Sequence, residues 1–532
     1  MPSAERRVAV RVLQMGAILV VLVAAPYKTF DLDRFFVPKE LVLGSTALLA
    51  SALCLVRARR VVLSRADQML ALWLAVGGVS ALFATNGWLA GRAMTISIAG
   101  IACFWCARTL ARAGHARSLV SALALAGVIG AATALLQAYG LHSEFMSLNR
   151  APGGTFGNRN FMAHLCAITM PALLFSGLRA TSRASLQRWS AGMAMVCGAL
   201  ILSRSRAAWL ALVVGMAVLV LTGILALRVR DGSLRLRRLM VLVFAGLAGA
   251  GGALVIPNAL DWNSESPYAD TAHGIVNYKG GSGHGRVIQY GNSLKMTLRH
   301  PLLGVGPGNW AVTYPRYASD NDPSLGRDGM TSNPWPSSDW MALLSERGPV
   351  AFLLLGLALL ALLADALRGV RDPAGTEARV TAAVMLATLA IVLVVGAFDA
   401  VILLAAPALV AWSLLGALSS PSRERQVAEL GAIQRAGAVA LALMLGSLAV
   451  ARSGAQLTAM SMYATNSRPS LLERASSIDP GSYRIHARLA QLYSGRGDCR
   501  RSVVHASAAR RQFPSSPAAR RLLALCGAWP TR

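Results

Sequence analysis

Long uncharged apolar runs, not amphipathic stripes, organise this chain. They fall at about residues 9–26, 39–56, 67–84, 93–110, 118–139, 161–178, 189–203, 207–227, 239–257, 341–365, 380–398, 400–418 and 432–451. Most approach the roughly 20 residues that carry a helix across about 30 Å of hydrocarbon. Backbone polar groups in lipid must be satisfied within the segment, so these runs are expected to be helices. The pattern predicts an all-α, polytopic transmembrane helical bundle of thirteen spans. Twelve is the alternative, because the seventh run is short and the division between 380–398 and 400–418 is not sharply marked. No clear small-residue cleavage site follows the first run, which is therefore read as an uncleaved helix.

Composition agrees: 55% of the 532 residues are hydrophobic and 14% charged. The 52 Lys and Arg against 24 Asp and Glu give a net charge of +28, which in a soluble protein would suggest nucleic acid. Position excludes that reading. Basic clusters at 57–65, 108–117, 179–188, 228–238, 368–379 and 423–425 occupy every second connection between apolar runs, the alternation expected of cytoplasmic loops. With a cytoplasmic amino terminus, all six clusters fall inside. Two longer polar segments then face outward: a loop at about 258–336 within the membrane domain (1–451), and a tail at 452–532.

The tail carries a helical-repeat periodicity. Pro480 and Pro514 are 34 residues apart, with Leu489, Ala490, Tyr493, Gly497, Ala506 and Ala509 near the small and aromatic positions of a tetratricopeptide repeat. His486 and Ser502 depart from that pattern. A helix pair of this kind needs neighbours to bury its face, so the tail is either a helical hairpin without a partner or a protein-docking module. Cys499 and Cys526 both fall here and could pair in an oxidising compartment. Cys103 and Cys106 form a CxxC inside an apolar run, where packing is the expected role.

No P-loop, HExxH or GxSxG occurs, and neither metal nor cofactor is expected. The outer loop contains Gly304-Val305-Gly306-Pro307-Gly308, which demands unusual backbone angles or close approach. Charged residues cluster at the outer ends of the runs, where such residues mark sites by default. Arg204 and Arg206 lie in Ser203-Arg204-Ser205-Arg206, where paired guanidiniums suit a phosphate or diphosphate; headgroup snorkelling is the alternative. Arg286 heads a probable helix leading into the Gly-Pro string. Arg159 stands in a turn whose capping residues do not explain it. Asp339, in Ser337-Ser338-Asp339-Trp340, is either a helix cap or a reactive carboxylate. Asp399 lies at the outer end of the eleventh run. Trp310, Tyr314 and Tyr317 could face sugars, although packing explains them equally.

The ordered segments GTFGNRNF, SRSRAAW, GRVIQY, HPLLGVGPGNW with YPRY, SDWMALLSERG and AFDAVILLAAP resemble the O-antigen ligase and polymerase family over about residues 150–418. The resemblance implies a glycosyltransferase of the GT-C membrane class in a bacterial inner membrane. It would move a polyprenyl-diphosphate-linked glycan to a lipid, glycan or protein acceptor without a metal. The family's diphosphate-holding arginines map onto Arg206 or Arg204 and onto Arg286. Ser337 stands where the family typically has the histidine thought to activate the acceptor, and serine is not a general base near neutral pH. Either Asp339 or Asp399 serves as base, or a loop histidine (His273 or His284) does, or the chain binds glycan lipids without turnover. A transporter or flippase of lipid-linked sugars and a noncatalytic scaffold are the rival classes.

Overall fold

The computed structural model describes residues 3–146, 150–226, 232–262, 264, 266–273, 281–326, 329–371, 375–419, 426–465 and 468–526. Each apolar run corresponds to one helix: α1 Ser3–Leu22, α2 Asp33–Leu55, α3 Arg65–Leu82, α4 Gly87–Leu110, α5 Ala116–Ala138, α6 Arg159–Leu178, α7 Arg183–Ser203, α8 Arg206–Ala226 and α9 Gly232–Val255. The outer loop adds α10 Pro267–His273, α11 Gly281–Arg299 and the single turn α12 Trp310–Thr313. Then come α13 Asp339–Val370, α14 Thr376–Phe398, α15 Ala405–Leu418 and α16 Ala432–Thr465. The tail contributes α17 Pro469–Ile478, α18 Tyr483–Gly495, α19 Cys499–Gln512 and α20 Pro517–Cys526. Seven helical stretches among the described residues are long and apolar enough to cross a membrane, α4 and α5 together forming one of them. The protein is an all-α polytopic membrane protein.

Local chemistry starts these helices where they begin. Asn86 accepts from the backbone N–H groups of Trp88 and Leu89 at 3.1 Å to cap α4. Asn158 accepts from Asn160 N at 3.0 Å to cap α6, and Ser338 accepts from Met341 N at 3.3 Å to cap α13. These bonds satisfy donors that a helix start leaves orphaned. Small residues then let helices approach closely, as membrane packing requires. A side chain at Gly416 of α15 would overlap the backbone of Phe104 in α4.

Two expectations change. The run at 400–418 yields a helix of only 14 residues, about 21 Å at 1.5 Å per residue, too short to cross a bilayer as helix. Every residue of α15 is buried, and the nonhelical stretch 399–404 before it is buried or half-buried, as backbone at membrane depth must be shielded by protein or line a water-filled cavity. The last run is longer than the apolar pattern indicates. Helix α16 has 34 residues and continues through Arg452 to Thr465.

Ion pairs and a strand pair bring together members of the basic clusters at 57–65, 108–117, 179–188 and 368–379; cluster 423–425 lies outside the described residues. Arg117 and Arg179 both meet Glu377, and Arg57 meets Glu5 at 3.0 Å. Residues β1 Arg60–Leu63 and β2 Gln426–Glu429, which the apolar pattern leaves as loops, pair antiparallel with Arg60 opposite Glu429. The tail packs against the opposite end of the bundle. There Arg484 donates to Thr29 O and Asn86 Nδ2 to Gln512 O at 3.3 Å. Cys499 and Cys526 are disulfide-bonded, tying α19 to α20.

Candidate functional site

The Gly-Pro string shapes the wall of the tail-side face. Gly304, Gly306 and Gly308 have φ of 65°, 98° and 67°, the left-handed region that glycine alone adopts without strain. A Cβ at Gly304 would overlap the Glu346 backbone. Glu346 in turn accepts from Gly308 N at 2.8 Å and Trp310 N at 3.1 Å. This interlock holds the loop onto α13. Trp310 donates through Nε1 to Ser293 Oγ at 2.9 Å and Tyr314 donates to Asp322 at 2.8 Å. Both rings are fully buried, so they are packing residues and not sugar platforms. Tyr317 packs against the same cluster.

Four arginines singled out by the sequence, Arg159, Arg204, Arg206 and Arg286, come within electrostatic reach of one another. Arg159 is the first residue of α6 and Arg206 the first of α8, so both stand at helix N-termini, where the helix dipole favours anions. Arg204 occupies the turn between α7 and α8 with φ 53°, an uncommon conformation for a residue with a side chain. Its Nε donates to Thr271 Oγ1 of α10 at 2.8 Å. The guanidiniums of Arg159 and Arg204 lie 5.0 and 4.7 Å from the Trp262 ring, which holds two like charges near one another by cation–π attraction. Arg150 is within electrostatic reach of Arg159, and Arg286 of Arg206. The Nε of Arg286 is buried with no hydrogen-bond partner among the described residues.

Carboxylates at the edge of this cluster divide into two kinds. Asp339 is fully buried and accepts from Val401 N at 2.9 and 3.0 Å and from Ile402 N at 3.0 Å. Its own N–H donates to Asp399 O at 3.2 Å. Such a carboxylate is committed to anchoring the 399–404 loop on the start of α13, which disfavours it as proton acceptor. Asp399 is half-buried and its Oδ1 accepts from Ala400 N at 2.9 Å. Tyr290, one turn after Arg286 on α11, places its hydroxyl 2.7 Å from Ser337 O and 2.8 Å from Ala397 O. Burial pushes its phenol up to about 12, so it stays a neutral donor. Ser337 also donates its backbone N–H to Gln289 Oε1 at 2.6 Å, and its backbone thus joins α11 to α13.

His164 was not singled out by sequence reasoning. It lies on α6 at 1% exposure, with both ring nitrogens buried and unpartnered among the described residues. Asp399 and Arg286 are within its electrostatic reach. The loop histidines His273 and His284 are exposed. Among the described residues, no group of three or more His, Cys, Asp or Glu side chains is arranged to hold a metal ion. A larger cavity of about 770 Å³ lies at the opposite face near Arg60, Arg108 and Arg112, remote from this cluster.

In this all-α membrane bundle, Arg159 and Arg206 at helix starts offer positive charge to an anion. Residues 191–356 match the O-antigen ligase family, and over that stretch the chain is similar to it. The match takes in SRSRAAW, GRVIQY, the Gly-Pro string and SDWMALLSERG; GTFGNRNF, AFDAVILLAAP and the tail lie outside it. The family ties the chain to ligase- or polymerase-type glycan transfer in envelope polysaccharide assembly, at a bacterial membrane. No curated protein matches the chain.

Proposed function

We propose that the protein transfers a glycan from a polyprenyl diphosphate to an acceptor hydroxyl at the outer face of the inner membrane. The acceptor oxygen attacks the anomeric carbon, the bond from that carbon to the diphosphate oxygen breaks, and polyprenyl diphosphate leaves. Arg159, Arg204, Arg206 and Arg286 hold the diphosphate and stabilise the charge it gains on departure, the largest contribution such a site can make. Asp399 takes the acceptor proton, with His164 behind it, while Asp339 positions the loop that carries Asp399. The observation that carries this reading is the convergence of these arginines beside one open carboxylate.

The test is transfer in liposomes with a polyprenyl-diphosphate glycan. Arg286→Ala is expected to lose donor binding and turnover together, and Asp399→Asn to keep donor binding and lose turnover. Wild-type protein that binds donor without turning over any acceptor would favour the scaffold reading.

A further inference from the structure

A second hollow, of about 350 Å³, opens on the tail-side face, between the bundle and the tail. That is near the lower end of the roughly 300–1,000 Å³ usual for ligand pockets. Its walls are of two kinds. Trp88, Trp335, Tyr483 and Phe36 supply aromatic surface. Five carboxylates, of Asp31, Asp33, Glu40, Glu346 and Asp479, face three arginines, Arg92, Arg452 and Arg484.

The arginines here are largely spent. Arg92 pairs with Asp33 at 2.8 Å and Glu40 at 2.6 Å, and Arg452 meets Glu40 at 3.5 Å. The excess of carboxylates makes the hollow hostile to a diphosphate, unlike the Arg159–Arg286 cluster. Asp31 stands exposed at its mouth with φ 24°. Together with Arg204 it makes up the positive-φ residues other than glycine among those described, and strain of this kind collects at ligand sites. The Nε of Arg452 is buried without a partner among the described residues.

Aromatic faces suit the C–H faces of sugar rings, and alternating carboxylates and guanidiniums suit their hydroxyls. We infer that this hollow is a saccharide-binding subsite for neutral or amino sugars of the acceptor glycan, separate from the diphosphate cluster. The assignment to acceptor rests on the transferase reading above. Two connections support it. Leu403, Leu404 and Ala405 line the hollow, at the far end of the short loop that begins with Asp399. Trp335 and Phe36 also pack edge to face at 5.2 Å, and Phe36 does the same with Phe161 at 5.7 Å; Phe161 is two residues along α6 from Arg159. The subsite therefore adjoins the reacting end without overlapping the cations.

The full chain in nanodiscs is tested by saturation-transfer NMR with oligosaccharides released by mild acid from the host envelope and separated into neutral, cationic and acidic fractions. Neutral or cationic oligosaccharides are expected to give saturation transfer. Trp335→Ala and Asp31→Ala should weaken that signal at least fivefold, with Trp335→Phe restoring most of it. Arg286→Ala should leave the signal intact while cutting transfer by roughly 10²–10³-fold, so failure of the donor reading and failure of this subsite are distinguishable. Strongest binding of the acidic fraction, no signal from any fraction, or a signal unchanged in both Trp335→Ala and Asp31→Ala would overturn the assignment.

Discussion

Two sets of arginines in this molecule live by opposite rules. Arg108, 5% exposed, pairs with the 1% exposed Asp67 and donates to Ser64 Oγ at 3.2 Å. Arg92 and Arg452 share Glu40 in the same manner. Arg159, Arg204 and Arg286 have no carboxylate in ion-pair contact among the described residues, and two of them crowd around one indole. A buried cation with its own anion holds helices together. Grouped cations without one keep their charge available for an anion that arrives. The carboxylates repeat the lesson: Asp339 is saturated with backbone donors, whereas Asp399 keeps an open side.

Breaking a saturated pair should cost most. Arg108→Ala strands the Asp67 carboxylate and is expected to lower stability by about 3–5 kcal/mol, read as a lost or sharply lowered thermal transition in detergent. The double change Arg108→Met with Asp67→Leu should recover most of it, since replacing both partners removes the stranded charge. Arg286→Ala should leave the transition in place and cut transfer by roughly 10²–10³-fold, the usual cost of one preorganised charge-stabilising group.

Between the carboxylates the contrast is finer. Asp339→Asn sets an amide N–H₂ against the Val401 and Ile402 donors and should cost about 1.5–3 kcal/mol of stability, the range for hydrogen bonds to charged groups. Asp399→Asn should be near neutral in stability and lose turnover. Differential scanning fluorimetry beside the transfer assay separates the two.

The smallest effect is expected in the tail. His486 lies 3.0 Å from His505, nitrogen to nitrogen, and His505 lies 3.2 Å from Glu473. Burial holds the His486 imidazole below its ordinary range, with His505 and Arg511 adding to the effect and Glu473 opposing it. The unfolded chain therefore binds this proton more readily, and its contribution to stability is present above about pH 6.5 and lost as pH falls below that. Burial acts to raise Glu473, but Tyr493 and His505 hold it below the usual carboxylate range, so its own loss comes at lower pH. A melting temperature that drops between pH 7 and 5.5 in the wild type, and drops less in His486→Leu, checks this.

Much of this was legible in the chain. Thirteen apolar runs became helices because lipid leaves the backbone no alternative, and the Gly-Pro string announced its positive φ angles by composition alone. The arginines stood out because they oppose the charge bias of the loops. Trp262 was not legible: a lone tryptophan in a polar loop shows nothing of the two guanidiniums that fold around it. His164 left a faint signal, one polar residue within an apolar helix, but its company depends on α11 and α14 arriving from distant sequence. Asp339 read equally as cap or as reactive group; only the arrival of the 399–404 backbone gives its carboxylate the Val401 and Ile402 donors. The continuation of α16 past Arg452 was hidden because its polar residues face Glu40 and the tail, not lipid.

On the proposed function, Arg204 and Arg286, which have no carboxylate in ion-pair contact among the described residues, leave that place to a diphosphate. The most direct test is the affinity of polyprenyl diphosphate for the nanodisc-held full chain, in wild type, Arg204→Ala, Arg286→Ala and the Arg108→Met, Asp67→Leu pair. The account predicts at least a tenfold loss of affinity in each of the first two variants, an unchanged thermal transition, and wild-type binding in the last. Equal affinity in all four proteins would contradict it.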